Sequence, residues 1–204
     1  LHSYDFGCTS FGVINQNSTL TGQNFDLAVI FKPTLTFTLI KMPNKPDVFS
    51  LRAGALLSLP VGRNSHGVAL SVTLVKNRMK GAMSIPCSIK TRMAFETSIN
   101  AEALYNFVIS TPSPTSGTLL IADESKIIAL EILPSKYKRE DVINTVVRSN
   151  TFISNSLQKD LIKPKYSKKR QRYAEKQLNE VYNKGLTDDG LLNLLADNPI
   201  ICRM

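Results

Sequence analysis

Strand-like runs, then helical spacing, then strands, then helices follow one another along this chain. That order points to an α+β protein layered from mainly antiparallel sheets. Residues 11–15 and 19–24 flank the turn-like Asn15-Gln16-Asn17-Ser18 and read as a hairpin. Strand-like apolar runs follow at 27–31, 34–41, 48–51, 56–59 and 68–75, the last two separated by the polar turn Gly62-Arg63-Asn64-Ser65-His66-Gly67. A short helix is expected over 90–96. Asn100 is placed to cap a second over 101–109, which Pro112 and Pro114 end. Residues 119–122 and 126–132 read as another hairpin around Asp123-Glu124-Ser125, while 139–144 is ambiguous. Val146-Val147 leads as a short strand into Arg148-Ser149-Asn150-Thr151-Phe152. Two helices close the chain: a basic one over 167–184, ended by Gly185, and a last one over 188–197, capped by Thr187.

The 204 residues suffice for one domain with a substantial core and not for a second full one. Hydrophobic residues at 43% and charged residues at 20% describe a folded chain rather than a disordered one. No run approaches the roughly 18 apolar residues of a membrane span, and none reads as a signal peptide. The start at Leu1 suggests an upstream segment removed or omitted. Cys8, Cys87 and Cys202, with only His2 and His66 beside them, have no metal-like spacing. Sparse cysteine without a signal favours a reducing, cytoplasmic interior. The net charge of +9 is concentrated in Lys163, Lys165, Lys168, Lys169, Arg170, Arg172 and Lys176. This patch lacks a zinc-finger or glycine-aromatic RNA-binding pattern, so no nucleic-acid partner is expected and it reads first as a solvated helix start.

The chemistry concentrates at the front. Gly7-Cys8-Thr9-Ser10 places a lone thiol ahead of a strand, eighteen positions before the Asp of Gly22-Gln23-Asn24-Phe25-Asp26. Cleavage between Gly7 and Cys8 would free an α-amine on the residue that carries the thiol. With an ordinary pKa of roughly 8, such an amine accepts the thiol proton near neutral pH, so one residue supplies nucleophile and base. A carboxylate at Asp26 stabilises the ammonium that forms. His66 and His2 read as non-catalytic, because this scheme needs no histidine.

Gly-Cys-Thr-Ser followed by Gly-Gln-Asn-(aromatic)-Asp resembles the isopenicillin N acyltransferase group of N-terminal-nucleophile (Ntn) hydrolases, related to choloylglycine hydrolases and acid ceramidase. The resemblance implies a four-layer αββα sandwich, with residues 1–7 a leader remnant and 8–204 a single domain. It implies self-cleavage before Cys8, then hydrolysis or transfer of the acyl group of a linear amide or thioester through acyl-Cys8, with no metal or organic cofactor. Asp26 would hold the new amine, and Asn150 would donate to the oxyanion, although Thr151 stands where the family usually has His. Asn24 occupies the place of an arginine in the bile-salt enzymes, and Gln23 and Asn24 offer amide donors to a substrate. Thr73 stands where an oxyanion-binding asparagine is usual, with a backbone N–H of Leu74 or Val75 able to share its work. Arg170, in Ser167-Lys168-Lys169-Arg170, matches a late family arginine ahead of Arg172, and Arg92 matches one that opens a helix. The roughly hundred-residue leader of the larger acyltransferases is not in this sequence. A separate N-terminal subunit, a homo-oligomer or a reduced version of the enzyme is therefore expected. The alternative reading is an inactive relic or a basic binding module acting through residues 163–176.

Overall fold

Nine consecutive residue pairs join β1 (Gly7–Asn15) to β2 (Ser18–Asp26), from Gly7↔Asp26 to Asn15↔Ser18, so the first hairpin extends back over the cysteine. The computed structural model describes residues 7–16, 18–26, 29–54, 61–81, 83–162 and 165–202. The expected run at 56–59 lies outside them, as do Leu27 and Ala28. Val29–Thr34 forms a 3-10 helix where a strand-like run was expected. Pro33, inside that segment, has no N–H to give a ladder and holds φ near the helical value.

The chain then builds β3 (Leu35–Ile40), β4 (Val48–Ala53), β5 (Gly62–Asn64) and β6 (Ala69–Leu74) as successive antiparallel neighbours. Asn64 fastens the turn after β5. Its Oδ1 accepts from the N–H groups of His66 and Val68 at 3.1 and 3.0 Å. Its Nδ2 donates to the carbonyls of Phe95 and Ser98 at 2.9 and 2.7 Å. Gly67 completes the turn at φ +78°, a conformation that a side chain would strain.

Two helices follow, α1 (Cys87–Thr97) and α2 (Ala101–Ile109), and Asn100 caps α2 by accepting from Ala103 N–H at 2.8 Å. Strands β7 (Gly117–Ala122), β8 (Ile127–Leu133) and β9 (Lys136–Asp141) complete a seven-stranded sheet in chain order. The ambiguous stretch thus contributes to an edge strand, β9, paired to β8 from Ile128↔Asp141 to Leu133↔Lys136. Strand β10 (Thr145–Ser149) returns to the first hairpin and makes a three-stranded sheet ordered β10-β1-β2. A single turn, α3 (Asn155–Gln158), which the sequence reading did not include, precedes α4 (Lys165–Lys184) and α5 (Asp188–Ala196).

Every residue of β7 and β8 is buried, because both of their faces are covered. On one face Leu119, Ile121, Ile128 and Leu130 pack with Phe95, Leu104 and Val108 of α1 and α2. On the other, Leu120, Ala122, Ile127 and Ala129 meet Val146 of the small sheet. That sheet's outer face, Phe11, Val13 and Val147, packs on Ala174, Leu178, Leu191 and Leu194 of α4 and α5. Helices, sheet, sheet and helices make four layers of an αββα sandwich, with three apolar seams between them. Among the described residues no helix is long and apolar enough to cross a membrane.

Candidate active site

Cys8 lies in the second position of β1, 3% exposed, with its thiol free. Its backbone N–H donates to Asn150 Oδ1 at 2.7 Å, across 142 residues of sequence. Asn150 follows directly on β10, the strand paired to the other side of β1 through Thr9↔Ser149. Nδ2 of Asn150 donates to the carbonyl of Leu74, the last residue of β6, at 2.7 Å. One asparagine side chain thus ties the head of the small sheet to the end of a strand in the large one.

Helix α4 reaches the same point. Arg170 is 1% exposed, and its Nη2 donates to Asn150 Oδ1 and, at 3.3 Å, to the carbonyl of Cys8. Its guanidinium also lies 5.5 Å from the centre of the Tyr166 ring. Arg172, two residues on, is exposed, so the helix period selects between the two late arginines. Asp26 closes β2 opposite Gly7, and its charge is felt at the thiol.

Burial pushes the Cys8 thiol up to about 11. Donation from the Asn150 amide and the positive charge of Arg170 pull it down, Asp26 pushes it up, and the Leu74 N–H pulls it down again. The sulfur is therefore held protonated at neutral pH in the intact chain, with two hydrogen-bond donors beside it. Neighbouring donors on Leu74 and Asn150 can stabilise negative charge forming on an oxygen bound next to that sulfur.

Two expected participants are not brought to the sulfur. Asn24 stands opposite Thr9 rather than Cys8, which turns it toward the helix layer, and its Nδ2 donates to the Leu195 carbonyl in α5 at 3.1 Å. Thr73 is fully buried, and its hydroxyl donates to the Ser149 carbonyl at 2.9 Å and meets the Thr118 hydroxyl at 2.5 Å. Its one hydrogen is taken, and the following residue, Leu74, presents the N–H instead. The Val75 N–H is bonded to the Ser116 carbonyl at 2.9 Å. Gln23 does not face a substrate either, since both ends of its amide bond Val72 of β6. Arg92 pairs with Glu96 at 2.6 Å within α1.

Sequence reasoning missed the groups that grip the Asn150 segment. Before it, Arg148, 4% exposed, pairs with Glu140 of β9 at 2.5 Å. After it, the buried carboxylate of Glu131 accepts from the N–H groups of Ile153 and Ser154 at 2.5 and 3.0 Å. A lone glutamate in an otherwise apolar strand was the available signal for Glu131. A cleft of about 260 Å³ opens beside Glu131, Arg148 and Ile153, and a cavity of about 30 Å³ has Leu74, Cys87 and Lys90 in its wall. Neither is lined by Cys8. Among the described residues, no group of three or more His, Cys, Asp or Glu gathers in a way that could hold a metal ion.

Comparison with known proteins agrees with this architecture. The acyl-coenzyme A:6-aminopenicillanic acid acyl-transferase family matches residues 13–199. The acyl-coenzyme A:6-aminopenicillanic-acid-acyltransferase 40 kDa form of Emericella nidulans is 24% identical over 151 residues, which are 73% of this chain and 42% of that protein. The chain thus matches about two-fifths of that relative's length. Among solved structures, the Caenorhabditis elegans ortholog of N-acylethanolamine-hydrolyzing acid amidase superposes with a TM-score of 0.74 at 14% identity, covering 95% of this chain and 87% of that one. Penicillin V acylase from Agrobacterium tumefaciens gives 0.61 at 15% identity, covering 95% and 71%. The chain has the Ntn-hydrolase sandwich and belongs to the acyl-coenzyme A:6-aminopenicillanic acid acyl-transferase family.

Proposed function

We propose that this chain is a cysteine Ntn acyltransferase or amidohydrolase that cuts itself between Gly7 and Cys8 and then acts on linear amides or acyl thioesters. The observation that carries the reading is the convergence on one thiol of Asn150, Arg170, Asp26 and the Leu74 N–H, drawn from both sheets and a helix. The names of the relatives support the substrate class. They comprise a penicillin-type acyltransferase, an N-acylethanolamine amidase and a penicillin acylase.

In the maturation step the Cys8 sulfur adds to the Gly7 carbonyl carbon and the Gly7–Cys8 C–N bond breaks. The thiol proton passes to the nitrogen that becomes the α-amine. Water then cleaves the thioester, leaving a carboxylate on Gly7 and a free thiol on Cys8. In turnover the amine takes the thiol proton and Asp26 stabilises the ammonium. The Leu74 N–H and Asn150 Nδ2 hold the substrate oxyanion. The ammonium proton leaves with the departing amine or thiol, and the acyl group then passes from sulfur to water or an acceptor amine, whose proton restores the Cys8 thiol. Arg170 fixes Asn150 and the Cys8 carbonyl throughout.

Incubation with a panel of amides and acyl thioesters, followed by mass spectrometry of the cysteine peptide, tests the reading. An acyl adduct on Cys8, lost in Cys8→Ala along with turnover, is expected. Turnover that survives in Cys8→Ala would refute it.

A further inference from the structure

Two glutamines, Gln23 half-buried and Gln171 buried, bond backbone near the ends of β6 and β10. Among the described residues strand β5 pairs with β6 through Gly62↔Leu70 and Arg63↔Ala69, and Val72 lies farther along β6. There Gln23 Nε2 donates to the Val72 carbonyl at 2.9 Å, and Gln23 Oε1 accepts from the Val72 N–H at 3.1 Å. One amide exchanges both bonds with one residue, the pattern of a hydrogen-bonded antiparallel pair. Strand β10 lies at the edge of the small sheet, and Gln171 of α4, 2% exposed, covers it. Its Nε2 donates to the Val147 carbonyl and its Oε1 accepts from the Ser149 N–H, both at 2.7 Å. These two groups flank Arg148, the pattern that a parallel neighbour would make.

We infer that Gln23 and Gln171 are positioning residues, each amide making the pair of backbone bonds a neighbouring strand would make so as to fix one of the two donors beside the Cys8 sulfur. Val72 is two residues ahead of Leu74, and Ser149 directly precedes Asn150. An extended backbone held at these points directs the Leu74 N–H and the Asn150 amide at the sulfur from opposite sheets. A primary amide suits the task, because each site requires a donor and an acceptor on one arm. A carboxylate lacks the donor, and an apolar side chain leaves an N–H and a carbonyl buried without partners. The inference rests on the reading of Leu74 and Asn150 as the donors of the active site.

The test reads the thiol and needs no substrate. The rate of Cys8 alkylation by iodoacetamide, followed by mass across pH, is compared for the native chain, Gln23→Met and Gln171→Met. Gln177→Met on the same helix serves as control. Loosened donors should raise the alkylation midpoint by about half a pH unit or more in both neutral variants, with the control unmoved. An unmoved midpoint in both would overturn the inference. Should a variant fail to fold, hydrogen exchange in the native chain decides. The Val72 and Ser149 amides should exchange as slowly as those of central β7, and exchange at the rate of exposed edge amides would overturn it. A chain that turns over no amide still yields both readouts, so failure of the proposed function is seen separately.

Discussion

Asn150 is bonded in three directions: its Oδ1 accepts from the Cys8 N–H and from Arg170, and its Nδ2 donates to the Leu74 carbonyl. Asn150→Ala removes both the proposed oxyanion donor and the tie between the sheets. A fall of about 10²–10³ in kcat is expected, measured on any amide the protein turns over. Cys8 carries a pH signature of its own. Its folded pKa of about 11 lies above the ordinary 9.0, so the native state keeps the proton where the unfolded chain has lost it. Stability should be full below pH 9 and fall as pH rises from 9 to 11, by up to about 2 kcal/mol. Denaturant titrations of Cys8→Ala should lack that slope. Short motifs sufficed to pick out Cys8, Asp26, Asn150 and Arg170 as residues that come together, but gave no account of facing. Asn24 sits one register step from the Cys8 pairing, and in a strand one step reverses the face. Thr73 is in the right neighbourhood, yet its hydrogen goes to the Ser149 carbonyl, a partner distant in sequence.

Local chemistry sets several elements directly. Asp123 belongs to the turn between β7 and β8 and also serves α2. Its Oδ1 accepts from the N–H groups of Ser125 and Lys126 at 2.9 and 3.0 Å, and its Oδ2 from the Ala101 N–H at 2.8 Å. Burial opposes ionisation of this carboxyl, but the donors of Ala101, Ser125 and Lys126 outweigh it and hold the pKa below the usual 3.8. A depressed folded pKa gives stability that is present above the unfolded value and lost as pH falls through the folded one. Asp123→Asn should therefore lower the melting temperature at neutral pH, and the gap to the native protein should close as acidification carries the pH below 3.8 and through the depressed folded value. This hairpin, the Asn100 cap and the Thr187 cap were legible in the sequence because each is settled within a few residues. Strand β9 was not. Its Lys-Tyr-Lys-Arg-Glu-Asp has little apolar alternation, since it is an edge whose place is set by pairing with β8 and by Arg139, which reaches Glu102 of α2 at 2.6 Å. Charges along such an edge also discourage pairing with another chain. The 3-10 turn at Val29–Thr34 shares its apolar composition with a strand, and Pro33 was the cue against one.

At the scale of the molecule, the small sheet lies over the large one so that the head of β1, the ends of β6 and β10 and the start of α4 meet at one residue. Composition and element order indicated layers, whereas their stacking emerges only from contacts between distant segments, such as Val146 against Ile127 and Phe11 against the α4 and α5 side chains. The basic run once considered for binding divides on the helix. Arg170 turns inward to the site, while Lys165, Lys169, Arg172 and Lys176 face solvent. What the layers accomplish is to hold Gly7 and Cys8 in a strand, with a thiol, its donors and a carboxylate gathered around one peptide bond. The intact mass of purified protein, followed over days for the native chain and for Cys8→Ala, tests that arrangement most directly. A native species shortened to begin at Cys8, beside a full-length Cys8→Ala chain, is predicted. A native chain that stays whole, or a variant that is cut at the same bond, would contradict it.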